Sequence, residues 1–375
     1  MPSNLSAADG AIANVLTIAG TDPTGGAGIQ ADLKTFSALG CYGMSVVTAV
    51  VAQNTRGVQS YRTMEPAFVG DQLASVFEDV RVDAVKIGMV ANAEIAAVIA
   101  NAIKKYKARN VVLDPVMVAK SGDSLLADDA VEAVRTLLVP VSTVITPNLP
   151  EAGVLLGIEE PDCLDAMKIC AQELLRLGSK WVLLKGGHLD GDESIDLLAG
   201  PDDLIGYAAP RVSTRNDHGT GCTLSSAIAS LMPYYELPEA VQLAKSYLFS
   251  ALLHADELNV GDGSGRGPVH HFHALWNPGG DHGHDHGEGC CGGGGHGHGH
   301  DHGEGGCCGG GGHGHSHGHD HGGEGCCGGG GGHGHGHDDG EGCCGGGGRH
   351  HHDHGHDHAH GGGCCGGHAH GDRGR

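Results

Sequence analysis

The chain has 375 residues and carries 45 acidic against 22 basic side chains, a formal net charge of −23. That balance argues against nucleic acid or an anionic membrane surface as a routine partner, and no segment approaches the roughly 20 apolar residues needed to span a bilayer. Composition changes abruptly at Pro278: 24 of the 30 histidines and ten of the 14 cysteines lie beyond it, so residues 14–278 read as one globular α/β domain and 279–375 as a separate low-complexity region.

Residues 1–13 are expected to be a flexible N-terminus without the basic start and apolar run of a secretory signal. Cys41, Cys163, Cys170 and Cys222 are too unevenly spaced for a disulfide framework. A reducing cytoplasm is the expected setting.

In chain order, the apolar run 15–19 predicts a buried strand and 28–39 a helix, with Ile29, Leu33 and Phe36 on one face and Gly40 as its stop. Strands follow at 45–52 and 84–88, then a helix over 92–106 and a strand at 110–114. A strand at 144–146, a helix at 164–177 and a strand at 181–185 come next, and from Cys222 to about Leu258 two long helical segments. Apolar strands without alternation, separated by helices, define an α/β fold: a mostly parallel central sheet with helices on both faces. Ligands of such sheets collect beyond the carboxyl ends of the strands, where this sequence places Gly20, Gln53, Met89, Asp114, Asn148 and Lys185.

Four motifs carry chemistry. In the stretch Arg215-Asn-Asp-His-Gly-Thr-Gly-Cys222, Gly219, Thr220 and Gly221 lead into a helix start, where turned backbone N–H groups and the positive helix end suit a phosphate. Cys222 there is expected to have a lowered pKa and to serve as proton acceptor in phosphoryl transfer; a small buried cysteine at a glycine-rich helix start is the plain alternative. The loop Gly20-Thr-Asp-Pro-Thr-Gly-Gly-Ala-Gly28 lacks the Gly-Lys-Ser/Thr ending of a P-loop and suits a lid or floor against a small substrate, with Asp32 on the next helix. Asn148-Leu-Pro-Glu151 offers either a magnesium and phosphate site or a helix cap with Pro150 in the first turn. Lys185 can steady nucleotide phosphates or simply be solvated.

The strings LTIAGTDPTGGAGIQADLKTFSALG, VVTAVVAQNTRGVQ, VKIGM, VVLDPVMVAKSGD, ITPNLPEA, LLKGGH, NDHGTGCTLSSAIAS and GPVHHFHALW together resemble the hydroxymethylpyrimidine and phosphomethylpyrimidine kinases of thiamine biosynthesis, a branch of the ribokinase-like superfamily, over about residues 14–276. The resemblance implies an ATP- and Mg²⁺-dependent kinase that phosphorylates 4-amino-5-hydroxymethyl-2-methylpyrimidine and then its monophosphate, and a homodimer. It implies Cys222 as base, Gly219, Thr220 and Gly221 as anion hole, Gln53 on the pyrimidine edge, and Gly20, Asp32 and Met89 around the same pocket. It further implies Asn148, Glu151 and Asp114 at magnesium, and Lys185 and Thr214 near ATP. A pyridoxal or pyridoxine kinase is the nearest competitor; Gln53 within AQNTRGVQ favours the pyrimidine.

Residues 279–375 repeat Cys-Cys pairs between histidine runs: Cys290 and Cys291, Cys307 and Cys308, Cys326 and Cys327, with His296, His298, His300, His313 and His315 among the intervening imidazoles. With almost no apolar residues this tail is expected to be disordered and to bind transition metals such as Zn²⁺, Ni²⁺ or Cu⁺ at several exchangeable sites. An expanded repeat without a role is the alternative. A metal-buffering protein with a retained kinase domain is the competing reading of the whole chain.

Overall fold

The computed structural model describes residues 11–117 and 127–276. The expectations for the N-terminus and the metal-binding tail therefore fall mostly or wholly outside the described residues.

Ten strands are found among them: β1 (Asn14–Ala19), β2 (Tyr42–Val47), β3 (Ala49–Asn54), β4 (Gly57–Thr63), β5 (Ala84–Ile87), β6 (Val111–Leu113), β7 (Val144–Ile145), β8 (Trp181–Leu184), β9 (Glu193–Ala199) and β10 (Leu204–Pro210). The helices are α1 (Gly28–Ala38), α2 (Pro66–Asp79), α3 (Ala93–Tyr106), α4 (Asp128–Ala133), α5 (Leu149–Leu156), α6 (Leu164–Leu175), α7 (Thr220–Leu231) and α8 (Leu237–Leu253).

Eight strands form one sheet in the order β10-β9-β8-β7-β6-β5-β1-β2. Neighbours from β8 to β2 are parallel, while β9 is antiparallel to both β8 and β10. The central strands carry no alternation because both faces are covered. Leu16, Ile18, Val85, Ile87 and Ile145 point to one core, shared with α2 to α6. Val15, Ala84, Val112 and Val144 point to the other, against Phe36 of α1, Leu224 and Ile228 of α7 and Val241 of α8.

Two expectations need correction. Residues 45–52 are not one strand, because Thr48 is fully buried and its hydroxyl donates to the Met89 carbonyl at 2.6 Å, ending β2. The chain then leaves the main sheet, and β3 pairs antiparallel with β4 in a separate hairpin with a register irregularity at Ala52/Gln53. The mostly parallel sheet also carries an antiparallel β9–β10 edge that was not legible: β10 alternates exposed and half-buried positions although nearly all its residues are apolar, so no polar–apolar pattern marked it as an edge.

Candidate active site

The parallel strands deliver Gly20, Gly88, Asp114, Thr146 and Lys185 to one edge, and α7 packs across it against β1, β5 and β6. Gly219 caps α7 with φ of +79°, and a Cβ there would collide with the Gly26 carbonyl oxygen. The residue must be glycine for the helix to begin here. The first-turn N–H groups of α7, from Thr220 to Cys222, are among the donors an α-helix leaves without intrahelical partners.

A cavity of about 940 Å³ opens at this edge. Gly20, Gln53, Met89, Thr214 and Cys222 all line it, as the sequence led one to expect. The irregularity at Ala52/Gln53 is the kind of bulge that re-aims a side chain, here at the position expected to read the substrate.

Beside the cavity lies a compact charge cluster. Lys185 Nζ stands 3.0 Å from Asp114 Oδ1 and 3.9 Å from Glu151 Oε2. Thr146 donates to Asp114 Oδ1 at 3.1 Å and Ser225 to Oδ2 at 3.4 Å. A Cβ on Gly221 would be 3.4 Å from Lys185 Nζ and 3.5 Å from Asp114 Oδ2, so the helix start and the cluster touch. Burial pushes the Glu151 carboxyl up to about 7, against the pull of Lys185 and with the neighbouring Asp114 adding to it. Burial acts on Asp114 in the same sense, but Lys185 and Lys86 outweigh it and hold that carboxyl low.

Asn148 and Glu151 meet the helix-cap reading of their motif in full, with Pro150 in the first turn. They form a reciprocal cap: the Asn148 side chain accepts from the Glu151 N–H and Glu151 Oε2 accepts from the Asn148 N–H, each at 2.8 Å. Asn148 thus spends its side-chain oxygen on the helix. The two carboxylates, Asp114 and Glu151, are the oxygens suited to a hard cation, which takes few protein ligands and shares the rest with phosphates and water. Among the described residues no cluster of three or more His, Cys, Asp or Glu is placed to hold a metal alone.

Two residues behave differently from expectation. Asp32 does not line the cavity. It is fully buried in the layer between the sheet and helices α1 and α7, where Lys86 Nζ lies 2.9 Å from both its oxygens and Thr17 and Ser226 donate at 2.6 and 2.7 Å. The Cys222 thiol is not lowered either: burial pushes it up to about 11, with Asp32 and Asp114 adding to the rise and Lys86 and the Gly28 N–H opposing it. Loss of hydration at this half-buried thiol outweighs the Lys86 ammonium and the Gly28 N–H.

Lys86 is the site residue whose role went unread. It is fully buried yet borders the cavity. Burial acts to lower its ammonium, but Asp32, then Cys222 and Asp114, hold it above the usual lysine range. Its signal was a lysine inside the otherwise apolar strand β5, facing the same side as Thr17 of β1. Asp22 was a second. Its carboxylate gathers Thr24, Gly26 and Ala27 and meets His218 Nε2 at 2.9 Å, locking the 20–28 loop to the approach of α7. Thr214 donates to Asp256 at 2.6 Å, on the same approach.

A parallel sheet edge met by a glycine-led helix start, with a buried lysine–carboxylate cluster beside a cavity of small-molecule size, defines a ribokinase-like small-molecule kinase. The profile of the family described as phosphomethylpyrimidine kinase matches residues 22–270, and the chain belongs to that family. It is 56% identical over 264 residues to the hydroxymethylpyrimidine/phosphomethylpyrimidine kinase of Escherichia coli K12, covering 70% of this chain and 98% of that one. The match to the thiamine biosynthesis bifunctional protein of Geobacter sulfurreducens is 47% identical, over 70% of this chain and 53% of that one. Among solved structures, the phosphomethylpyrimidine kinase of Clostridium difficile 630 superimposes with a TM-score of 0.58 at 48% identity, over 64% of this chain and 99% of that one. The pyridoxal kinase of Staphylococcus aureus in complex with AMP-PCP and pyridoxal gives 0.65 at 32%, over 71% and 95%. The protein is a phosphotransferase of thiamine biosynthesis. No helix among the described residues is long and apolar enough to cross a membrane.

Proposed function

We propose that this kinase moves the γ-phosphoryl group of ATP first to the hydroxymethyl oxygen of 4-amino-5-hydroxymethyl-2-methylpyrimidine and then to the resulting monophosphate. The observation that carries the reading is one cavity bordered by both Gln53 and Cys222, at the N-terminus of α7. Gln53 orients the ring, and Met89 and Val51 pack its faces. Cys222, as thiolate, accepts the hydroxyl proton while the new O–P bond forms and the bond to the ADP oxygen breaks. The N–H groups of Thr220, Gly221 and Cys222 hold the transferring phosphoryl oxygens. Lys185 neutralises the nucleotide phosphates, and Thr214 lies on the nucleotide side. Mg²⁺, when bound through Asp114 and Glu151, supplies further charge neutralisation at the phosphates.

The test is ADP release by the full chain with MgATP, offered the pyrimidine, its monophosphate and pyridoxal in parallel. Turnover of both pyrimidines with pyridoxal far slower is the expected result. Preference for pyridoxal moves the protein to vitamin B6 chemistry.

A second reading concerns residues 279–375, and its support is their content of ten cysteines and 24 histidines. They bind transition-metal ions, reversibly and at several sites. Metal analysis of the full chain after dialysis against Zn²⁺ or Ni²⁺ tests this; retention no greater than that of a chain ending at 278 refutes it.

A further inference from the structure

Residues 260–266 belong to none of the motifs assigned above, yet the loop they form joins both halves of the site. At one end, the Asp256 carboxylate receives Thr214 Oγ1 at 2.6 Å and Asn216 Nδ2 at 2.8 Å. At the other, the Gly267 carbonyl accepts the His218 N–H at 2.9 Å. Between these anchors the loop reaches across to the tip of the β3–β4 hairpin. The Arg266 N–H donates to the Thr55 carbonyl at 2.8 Å, and Ser264, Gly265 and Arg266 line the cavity with the hairpin. The Arg266 guanidinium turns back to Asp217 at 2.8 Å.

The fit at the crossing is tight. A Cβ on Gly265 would run into the Thr55 carbonyl, the same oxygen that holds Arg266, and a Cβ on Gly261 would stand 2.8 Å from Thr55 Oγ1. The pair Arg56–Asp262 is exposed and Arg266–Asp217 partly so, and such pairs contribute little holding force. Backbone contact at Thr55, two residues from Gln53, is therefore the effective joint.

We propose that this strap is a positioning element that couples the two subsites, with Gly265 and Arg266 as its working residues. Nucleotide bound along 214–221 fixes the strap, and the strap holds the turn that carries Gln53 against the pyrimidine. Binding of either substrate then strengthens the other by the same factor. The inference rests on the assignment of Gln53 to the pyrimidine and of 214–221 to the nucleotide.

Calorimetry on the full chain tests it, measuring the Kd of hydroxymethylpyrimidine with and without Mg²⁺ and β,γ-methylene-ATP. The wild type is expected to bind the pyrimidine about tenfold more tightly with the nucleotide analogue present, within the usual span of such couplings. Gly265→Ala should abolish that gain while the analogue's own Kd stays unchanged and circular dichroism shows the fold retained. Arg266→Pro deletes the N–H that meets the Thr55 carbonyl without placing a Cβ at Gly265; it should reduce the gain, and it decides the matter if Gly265→Ala does not fold. A wild type without coupling, or variants that retain all of it, would overturn the strap's role alone. Absence of pyrimidine binding in the wild type would overturn the substrate assignment as well.

Discussion

Cys222 sits where a helix start should favour thiolate, yet burial pushes its thiol up to about 11. At neutral pH most molecules then carry the thiol, and only the thiolate fraction can take the substrate proton. Turnover should rise with pH by about tenfold per unit from 7 toward 9, a limb set by proton loss from Cys222. A profile flat above pH 7 would assign the proton to another group. Cys222→Ala should lower kcat by about 10²–10⁴-fold, the usual worth of a positioned base, with ATP affinity kept. The same shift has a stability consequence. A thiol whose folded pKa lies above its unfolded value of 9.0 stabilises the fold below pH 9 and loses that contribution as pH rises toward 11. The melting advantage of wild type over Cys222→Ala should shrink across that window. Lys86 belongs to the same scale: Lys86→Met strands the buried Asp32 carboxylate and should cost about 3–5 kcal/mol by chemical denaturation. The Lys86→Met/Asp32→Asn pair leaves no orphan charge and should recover most of that loss. Equal destabilisation of the two would mean the ion pair is not what holds this layer together.

Elements explain which residues were legible. β1, β5, β6 and β8 are buried on both faces, so their largely apolar, non-alternating runs announced a parallel sheet and located its carboxyl edge. The Gly219-Thr-Gly-Cys222 turn announced a helix start because nothing but glycine tolerates its backbone there. The hairpin was hidden: Thr48 is an ordinary strand residue in sequence, and its burial and its bond to Met89 exist only once β2 and β5 are set on either side of β1. Asp32 was misplaced for a related reason. A helix position near a glycine loop does not say whether a side chain faces the ligand or the core, and here Thr17, Lys86 and Ser226 from three other elements claim it. At this scale the helix start makes its own prediction. Gly219→Ala combines a left-handed backbone with a collision at the Gly26 carbonyl and should cost more than the ~1–2 kcal/mol of the dihedral alone. It should also lower kcat, since the anion hole cannot form unshifted. Thermal melting and steady-state rates report the two effects separately, and a variant unchanged in both would remove α7's start from the mechanism.

For the whole molecule the question is whether the kinase needs the histidine- and cysteine-rich region. The matched residues cover 98% of the Escherichia coli kinase and 99% of the Clostridium difficile one, and the family profile ends at residue 270. Removing residues 279–375 should leave kcat and both KM values unchanged in metal-free buffer. Metal should separate the two forms. Cys222 is a soft donor lining an open cavity, and a Zn²⁺ ion resting on it would block the proton acceptor. No cluster of three or more His, Cys, Asp or Glu is placed to strengthen such a site among the described residues, so its affinity is limited. Ten cysteines and 24 histidines on the same chain outnumber it and compete for the ion by mass action. The truncated enzyme should therefore lose activity at a lower Zn²⁺ concentration than the full chain, which should hold its rate until several equivalents have been added. Coincident inhibition curves for the two forms would show that residues 279–375 give the active site no protection, and earlier inhibition of the full chain would show that they deliver metal to it.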